Sequence, residues 1–361
     1  MSLVARLAID DLCPLLMGDL LVSGGEGPKD LLIPTVGPRS NVFPKGSAFV
    51  PVALRQKVNV LAPNLAIGWC GSVIAAKSII KGLKSEAEKK PLSREDLKAY
   101  LDNVDDRTWE LGVQLTGFLI DSCGPARFWR NCSEVKTNDF GMIVALGSGA
   151  DYASKYFQNF SSNKILGVSA GMNVLDRAIS VGASAAGAFL CHEMATHRTI
   201  GNYFGAGYEI ISQFGREFKK LDEITYIFWL ARVTNDGVDA TLKMLAKYAY
   251  NGEMLIIRAI TVADSGPTIE SDFTYHVPPI YTEVGSYDYR TSIQPDMDSV
   301  CVCNVFEFPA NGKYTAPLVH VLNHKDKSTK PLILKIEDRR FIIGLKKDYW
   351  DPIIINAVKN Q

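Results

Sequence analysis

The order of hydrophobic patterns along the chain restricts its fold more than any single motif does. Two strand-like runs open the sequence around an Asp10-Asp11 turn, because Leu-rich and β-branched residues flank the acidic pair. Strands are expected at about 49–61 and 64–70, then a helix at about 71–85. A second helix follows Pro91, capped by Ser93 with Glu95 and Asp96 in its first turn. Two more strands, at about 113–121 and 140–146, lead through a Gly-Ser-Gly turn at 147–149 into a helix, and another helical run covers about 167–195. From 224 onward the runs are strand-like. Strands alternating with helix pairs fit a layered α+β sandwich and disfavour a doubly wound parallel sheet, where single helices separate single strands.

Composition narrows the partners. Lys plus Arg and Asp plus Glu each total 39 in 361 residues, so the chain lacks the basic field that nucleic acid or an anionic membrane would favour. Peptides, small molecules and other protein chains stay open. The seven cysteines are scattered and odd in number, which suits buried thiols in a reducing, cytoplasmic compartment. Cys301 and Cys303 lie two apart in a strand-like run and are expected on one sheet face. The start lacks a basic segment followed by an apolar core, and no apolar stretch is expected to approach the roughly 20 residues needed to span a bilayer. The small residues of ISVGASAAGAFL would let a neighbouring element approach closely.

Four local runs carry a resemblance: MGDLLVS at the end of the opening hairpin, KVNVLAPNLAIGWCGSVIAAKSII, MIVALGSGADYASKYF and NYFGAGYEII. Over residues 1–215 the chain resembles proteasome β subunits and bacterial proteasome-like proteases, members of the N-terminal-nucleophile (Ntn) hydrolases. The resemblance implies a four-layer αββα sandwich, here followed by a strand-rich extension at 216–361 that has no counterpart. It also implies a homo-oligomer built through the helix after Gly71 and the region after Ser148, and an opening hairpin that shares a sheet with Lys57. In that family a lysine opens a strand and a glycine that binds substrate backbone follows fourteen residues later, before a helix; Lys57 and Gly71 have that spacing. By the same resemblance Asp19 is the lysine's acidic partner, and Ser148 is the serine near the nucleophile. Ser2 would be the nucleophile once Met1 is removed. The Gly- and Pro-rich stretch at 24–48 is inserted between Asp19 and Lys57, where the family borders its substrate pocket.

The implied chemistry is coherent and needs no cofactor and no metal. A free α-amino group, with a pKa of about 7.7–8.0, can serve as the general base for its own hydroxyl. A lysine oriented by an aspartate favours the ionised hydroxyl, and backbone N–H groups at Gly71 could bind the oxyanion. If the Lys57–Asp19 pair is partly exposed, losing it costs about 1 kcal/mol or less, so Lys57→Ala is expected to abolish activity with folding nearly intact. His192 and His197 are five apart, about 140° apart around a helix, unlike the one-faced histidines of a zinc helix. Glu193 or Thr196 on that helix is a candidate to approach the nucleophile. Two functions follow: a peptide or amide hydrolase, or a catalytically silent proteasome-like subunit with a structural or binding role. A third possibility is that 216–361 forms a separate recognition module.

Overall fold

Val4 and Arg6 point to one side of the first strand while Leu3, Ala5, Leu7 and Ile9 point to the other, yet all six are buried. A strand buried on both faces must lie inside a stack of layers. In the computed structural model this stack is described for residues 2–9, 13–25, 31–44, 46–132, 134–136, 142–159, 172–263, 266, 268–282, 291–294, 299, 301–308, 316–322, 331–337 and 340–359.

The first sheet has six antiparallel strands in the order Glu134–Lys136, Met142–Leu146, Val4–Ile9, Cys13–Asp19, Tyr208–Phe214 and Glu217–Lys220. The second has four, Gly124–Arg130, Gln114–Asp121, Leu65–Cys70 and Val58–Ala62, also antiparallel. Val4, Leu16, Val144 and Ile211 of the first sheet meet Val58, Ala66, Cys70 and Phe118 of the second. Arg6 is buried between them, its guanidinium 5.7 Å from the Phe118 ring centre and 5.0 Å from that of Trp129. The outer face of the second sheet is covered by α1 (Val73–Lys89), α2 (Arg94–Asp102) and α3 (Asp106–Glu110). Ser93 caps α2 with a reciprocal capping box to Asp96. On the first sheet's other face lie α4 (Ala150–Asn159) and α5 (Val174–Thr196), the latter followed by the single turn α6 (Arg198–Gly201).

A third sheet then covers α5. Its order is Ile269–Val277, Met254–Val262, Gly237–Asn251, Ile224–Thr234, Cys301–Glu307 and Leu318–Leu322, all antiparallel except the parallel pairing of Ile224–Thr234 with Cys301–Glu307. Cys301 and Cys303 both face α5. The sheet's far side is closed by α7 (Lys347–Lys359), through Trp350 and Ile354 against Trp229 and Phe306.

The small residues of α5 explain this burial. A Cβ on Gly182 would stand 3.2 Å from Ile210 and Leu15 of the first sheet, and one on Gly187 would stand 3.0 Å from Val305 of the third. Five residues turn a helix by about 500°, so these two positions face opposite ways and each admits a sheet. The expectation that no apolar stretch approaches spanning length is corrected: α5 is long and apolar enough to cross a membrane, but 72% of its most apolar part is buried inside the protein, between the two sheets.

These layers correct the expected architecture. The chain is not a four-layer αββα Ntn sandwich: strand outweighs helix 46% to 29%, and several antiparallel sheets are stacked. The physical reason is α5, whose second apolar face demands a further sheet where the sandwich would end. The hairpin expectation is also corrected, since Val4–Ile9 and Cys13–Asp19 lie in the first sheet whereas Lys57 leads into the second. One hydrophobic core runs from Leu3 to Val321, and the Glu217–Lys220 strand completes the first sheet.

Candidate active site

The expected strand at 49–61 is broken at Arg55–Lys57, between strands Val50–Leu54 and Val58–Ala62, and the break carries Lys57 toward the hairpin. Gly18 permits the approach: a Cβ there would lie 3.0 Å from the Lys57 Cβ and 2.8 Å from Val58. Asp19, the next residue, therefore meets the lysine head.

Three sequence-predicted residues converge. Ser2, Asp19 and Lys57 are all buried, at 1%, 0% and 0% exposure, which rules out a solvated ion pair. The Lys57 ammonium donates to Ser2 Oγ, to Asp19 Oδ1 at 3.3 Å and to the Leu21 carbonyl at 2.7 Å. Its nitrogen thus has three oxygen partners. The Trp69 ring centre stands 5.1 Å from the same nitrogen.

Asp19 is held as firmly. Oδ1 also accepts the Leu3 N–H at 2.8 Å, and Oδ2 accepts those of Gly205 at 2.9 Å and Leu21 at 3.2 Å. Burial raises its pKa, while Lys57 and the N–H groups of Leu3 and Gly205 pull it back. The Cys70 thiol, hydrogen-bonded to Ser2, is pushed up to about 12, mainly by burial, so beside Lys57 it stays a neutral thiol and does not compete as a nucleophile.

The Gly147 turn closes on Ser2. At Gly147, with φ +81°, a Cβ would fall 2.1 Å from the Ser2 carbonyl oxygen, and that oxygen accepts the Gly149 N–H at 3.1 Å. Ser148 rides on this turn, but its side chain is exposed and hydrogen-bonds none of the other three. Gly71 follows Cys70 directly. Its φ is +90° and a Cβ would come 2.0 Å from the Gly112 carbonyl oxygen, so only glycine fits there. Gly71 lies just before Ser72, the residue that caps α1.

No known protein-family model matches this chain, and no curated protein does.

Glu193 does not reach Ser2. Its carboxylate accepts from Thr35, from Thr199 at 3.0 Å and from the Ala206 N–H at 3.1 Å, one residue beyond the Gly205 that holds Asp19. Burial pushes its pKa up to about 7 against those hydrogen bonds. Thr35 belongs to the Gly- and Pro-rich insertion. There Ile33, Val36 and Phe43 are buried in the main core, and the Phe43 and Phe49 rings stand 5.5 and 5.3 Å from Tyr203. Thr196 instead bonds the His192 carbonyl, and His197 ends α5 in the left-handed region. Among the described residues no three His, Cys, Asp or Glu side chains are grouped so as to hold a metal ion.

Sequence reasoning missed Cys70, whose place directly before Gly71 was a usable signal. It also missed the Leu21 carbonyl and the Gly205 N–H. Backbone groups leave no mark in a sequence.

Proposed function

We propose that the chain is an N-terminal-nucleophile hydrolase of peptide or amide bonds, resembling the proteasome β subunits, with Ser2 as its nucleophile. The observation that carries this reading is the buried contact of Lys57 Nζ with Ser2 Oγ, backed by Asp19. After Met1 is removed, the Ser2 amine takes the proton from Oγ as Oγ attacks the substrate carbonyl. Lys57 stabilises the developing alkoxide, and the Gly71 N–H receives the oxyanion. The amine then passes the proton to the leaving nitrogen, and water cleaves the resulting ester.

A second reading, the catalytically silent subunit, is favoured by the 1% exposure of Ser2. One experiment separates the two. Intact mass is measured first, and Met1-free protein is treated with β-lactone and peptide-boronate probes and a broad peptide panel. The hydrolase reading expects a covalent adduct on Ser2 that Ser2→Ala abolishes. A folded, Met1-free protein that reacts with nothing leaves the silent subunit.

Self-association belongs to the same proposal. Ile74, on the first turn of α1, is 79% exposed, an apolar side chain where the resemblance places a subunit contact.

A further inference from the structure

Gln56, the residue before the active-site lysine, is fully buried and has no polar group to spare. Its backbone N–H donates to the Pro278 carbonyl at 3.2 Å, and its carbonyl accepts the Trp69 indole N–H at 3.1 Å. The side-chain amide donates at 2.7 Å to the carbonyls of both Glu253 and Val277. Its oxygen accepts from Lys220. Lys220 in turn pairs with Glu209 at 2.8 Å, and the Tyr250 hydroxyl donates to the same Glu209 oxygen at 2.7 Å.

Apart from Trp69 of the second sheet, these partners come from two sources. Glu209 and Lys220 lie on the hairpin that ends the first sheet. Tyr250, Glu253, Val277 and Pro278 lie on or beside the strands Gly237–Asn251, Met254–Val262 and Ile269–Val277 of the third sheet. Four bonds from Gln56 thus tie the break that carries Lys57 to elements more than 150 residues away in sequence, and three of them reach the third sheet.

We infer that Gln56 is a positioning residue for Lys57, through which the third sheet sets the place of the ammonium against Ser2 and Asp19. The inference rests on the hydrolase reading for its catalytic meaning. Its geometric content stands apart from it. The break at 55–57 lies outside the named strands and keeps only single backbone ties: the Arg55 N–H to the Leu20 carbonyl at 2.8 Å, the Trp69 N–H to the Lys57 carbonyl at 3.0 Å, and an isolated bridge of Gln56 with Pro279. The side-chain amide adds the tie to the third sheet, because the Glu253 and Val277 carbonyls accept both of its N–H bonds. Without that amide the Glu253 and Val277 carbonyls lose their donor, and the break relaxes toward other partners.

Gln56→Met keeps the volume of the side chain and removes every side-chain hydrogen bond. Two readouts are taken. The first is the NMR signal of the Lys57 ammonium, assigned with Lys57→Arg, whose hydrogen exchange with water is expected to rise about tenfold as its enclosure loosens. The second is turnover, in which kcat is expected to fall about 100-fold with KM nearly unchanged, because a small displacement of a positioned group has that effect. Lys84→Ala, which removes an exposed bond to Glu253, is the control and leaves both readouts unchanged. If wild-type protein shows no turnover, the hydrolase reading fails while the ammonium signal still tests the positioning. Should Gln56→Met not fold, Gln56→Asn, one methylene too short to reach both carbonyls, is read in the same way. A folded variant with the Lys57 signal and kcat both unmoved overturns the inference.

Discussion

Replacing Lys57 with alanine is the sharpest test of how the site is built, because the burial of the pair makes the change costly to the fold as well as to the chemistry. A partly exposed pair would contribute about 1 kcal/mol or less. Lys57 and Asp19, however, are both at 0% exposure. Removing one partner of a buried pair leaves an uncompensated charge and typically costs about 3–5 kcal/mol. The expectation that Lys57→Ala leaves folding nearly intact is therefore corrected. Asp19 keeps the N–H groups of Leu3, Leu21 and Gly205, so the lower part of that range is expected for the ion itself. Loss of the aliphatic stem beside Trp69 adds to it. The deficit also has a sign in pH. Burial raises the folded-state pKa of Asp19 above its unfolded value, and without the ammonium it rises further. Protonation therefore favours the folded variant, so the deficit against wild type is greatest at neutral pH and shrinks as pH falls and Asp19 becomes neutral. Urea unfolding of wild type, Lys57→Ala, Asp19→Asn and the double variant, at neutral and acid pH, measures all of this. The double variant should lose less than the sum of the singles by about 2 kcal/mol. A Lys57→Ala deficit below about 1 kcal/mol, or strict additivity, would refute the buried-pair reasoning.

Glu193 gives a second pH signature: a carboxyl raised from 4.5 to about 7 contributes stability that is complete below 4.5 and is lost as pH rises through 7. The difference corresponds to about 3 kcal/mol, so Glu193→Gln should flatten the pH dependence of urea unfolding between pH 5 and 8; an unchanged slope would show that another group governs it. Self-association is tested by sedimentation at micromolar concentration, where wild type is expected to be oligomeric and Ile74→Asp monomeric; a monomeric wild type removes the proposal.

Local order was legible in the sequence wherever neighbouring residues decide it. The capped helix at Ser93, the shared face of Cys301 and Cys303, and the strands before Gly71 and Ser148 follow from periodicity, caps and turns, which act over a few residues. The meeting of Ser2, Asp19 and Lys57 was suggested by spacing and resemblance, and the structure brings those three together. Their burial could not be read, because it depends on Gly18 letting one sheet close on the other. The number of layers was equally hidden. An Ala- and Gly-rich helix announces close packing without saying on how many sides, and only the tertiary structure places sheets against both Gly182 and Gly187. Gln56 shows the same division: its amide chemistry is written in the sequence, whereas its partners at Lys220, Glu253 and Val277 are chosen by the way three sheets stack, a long-range decision that no local pattern records.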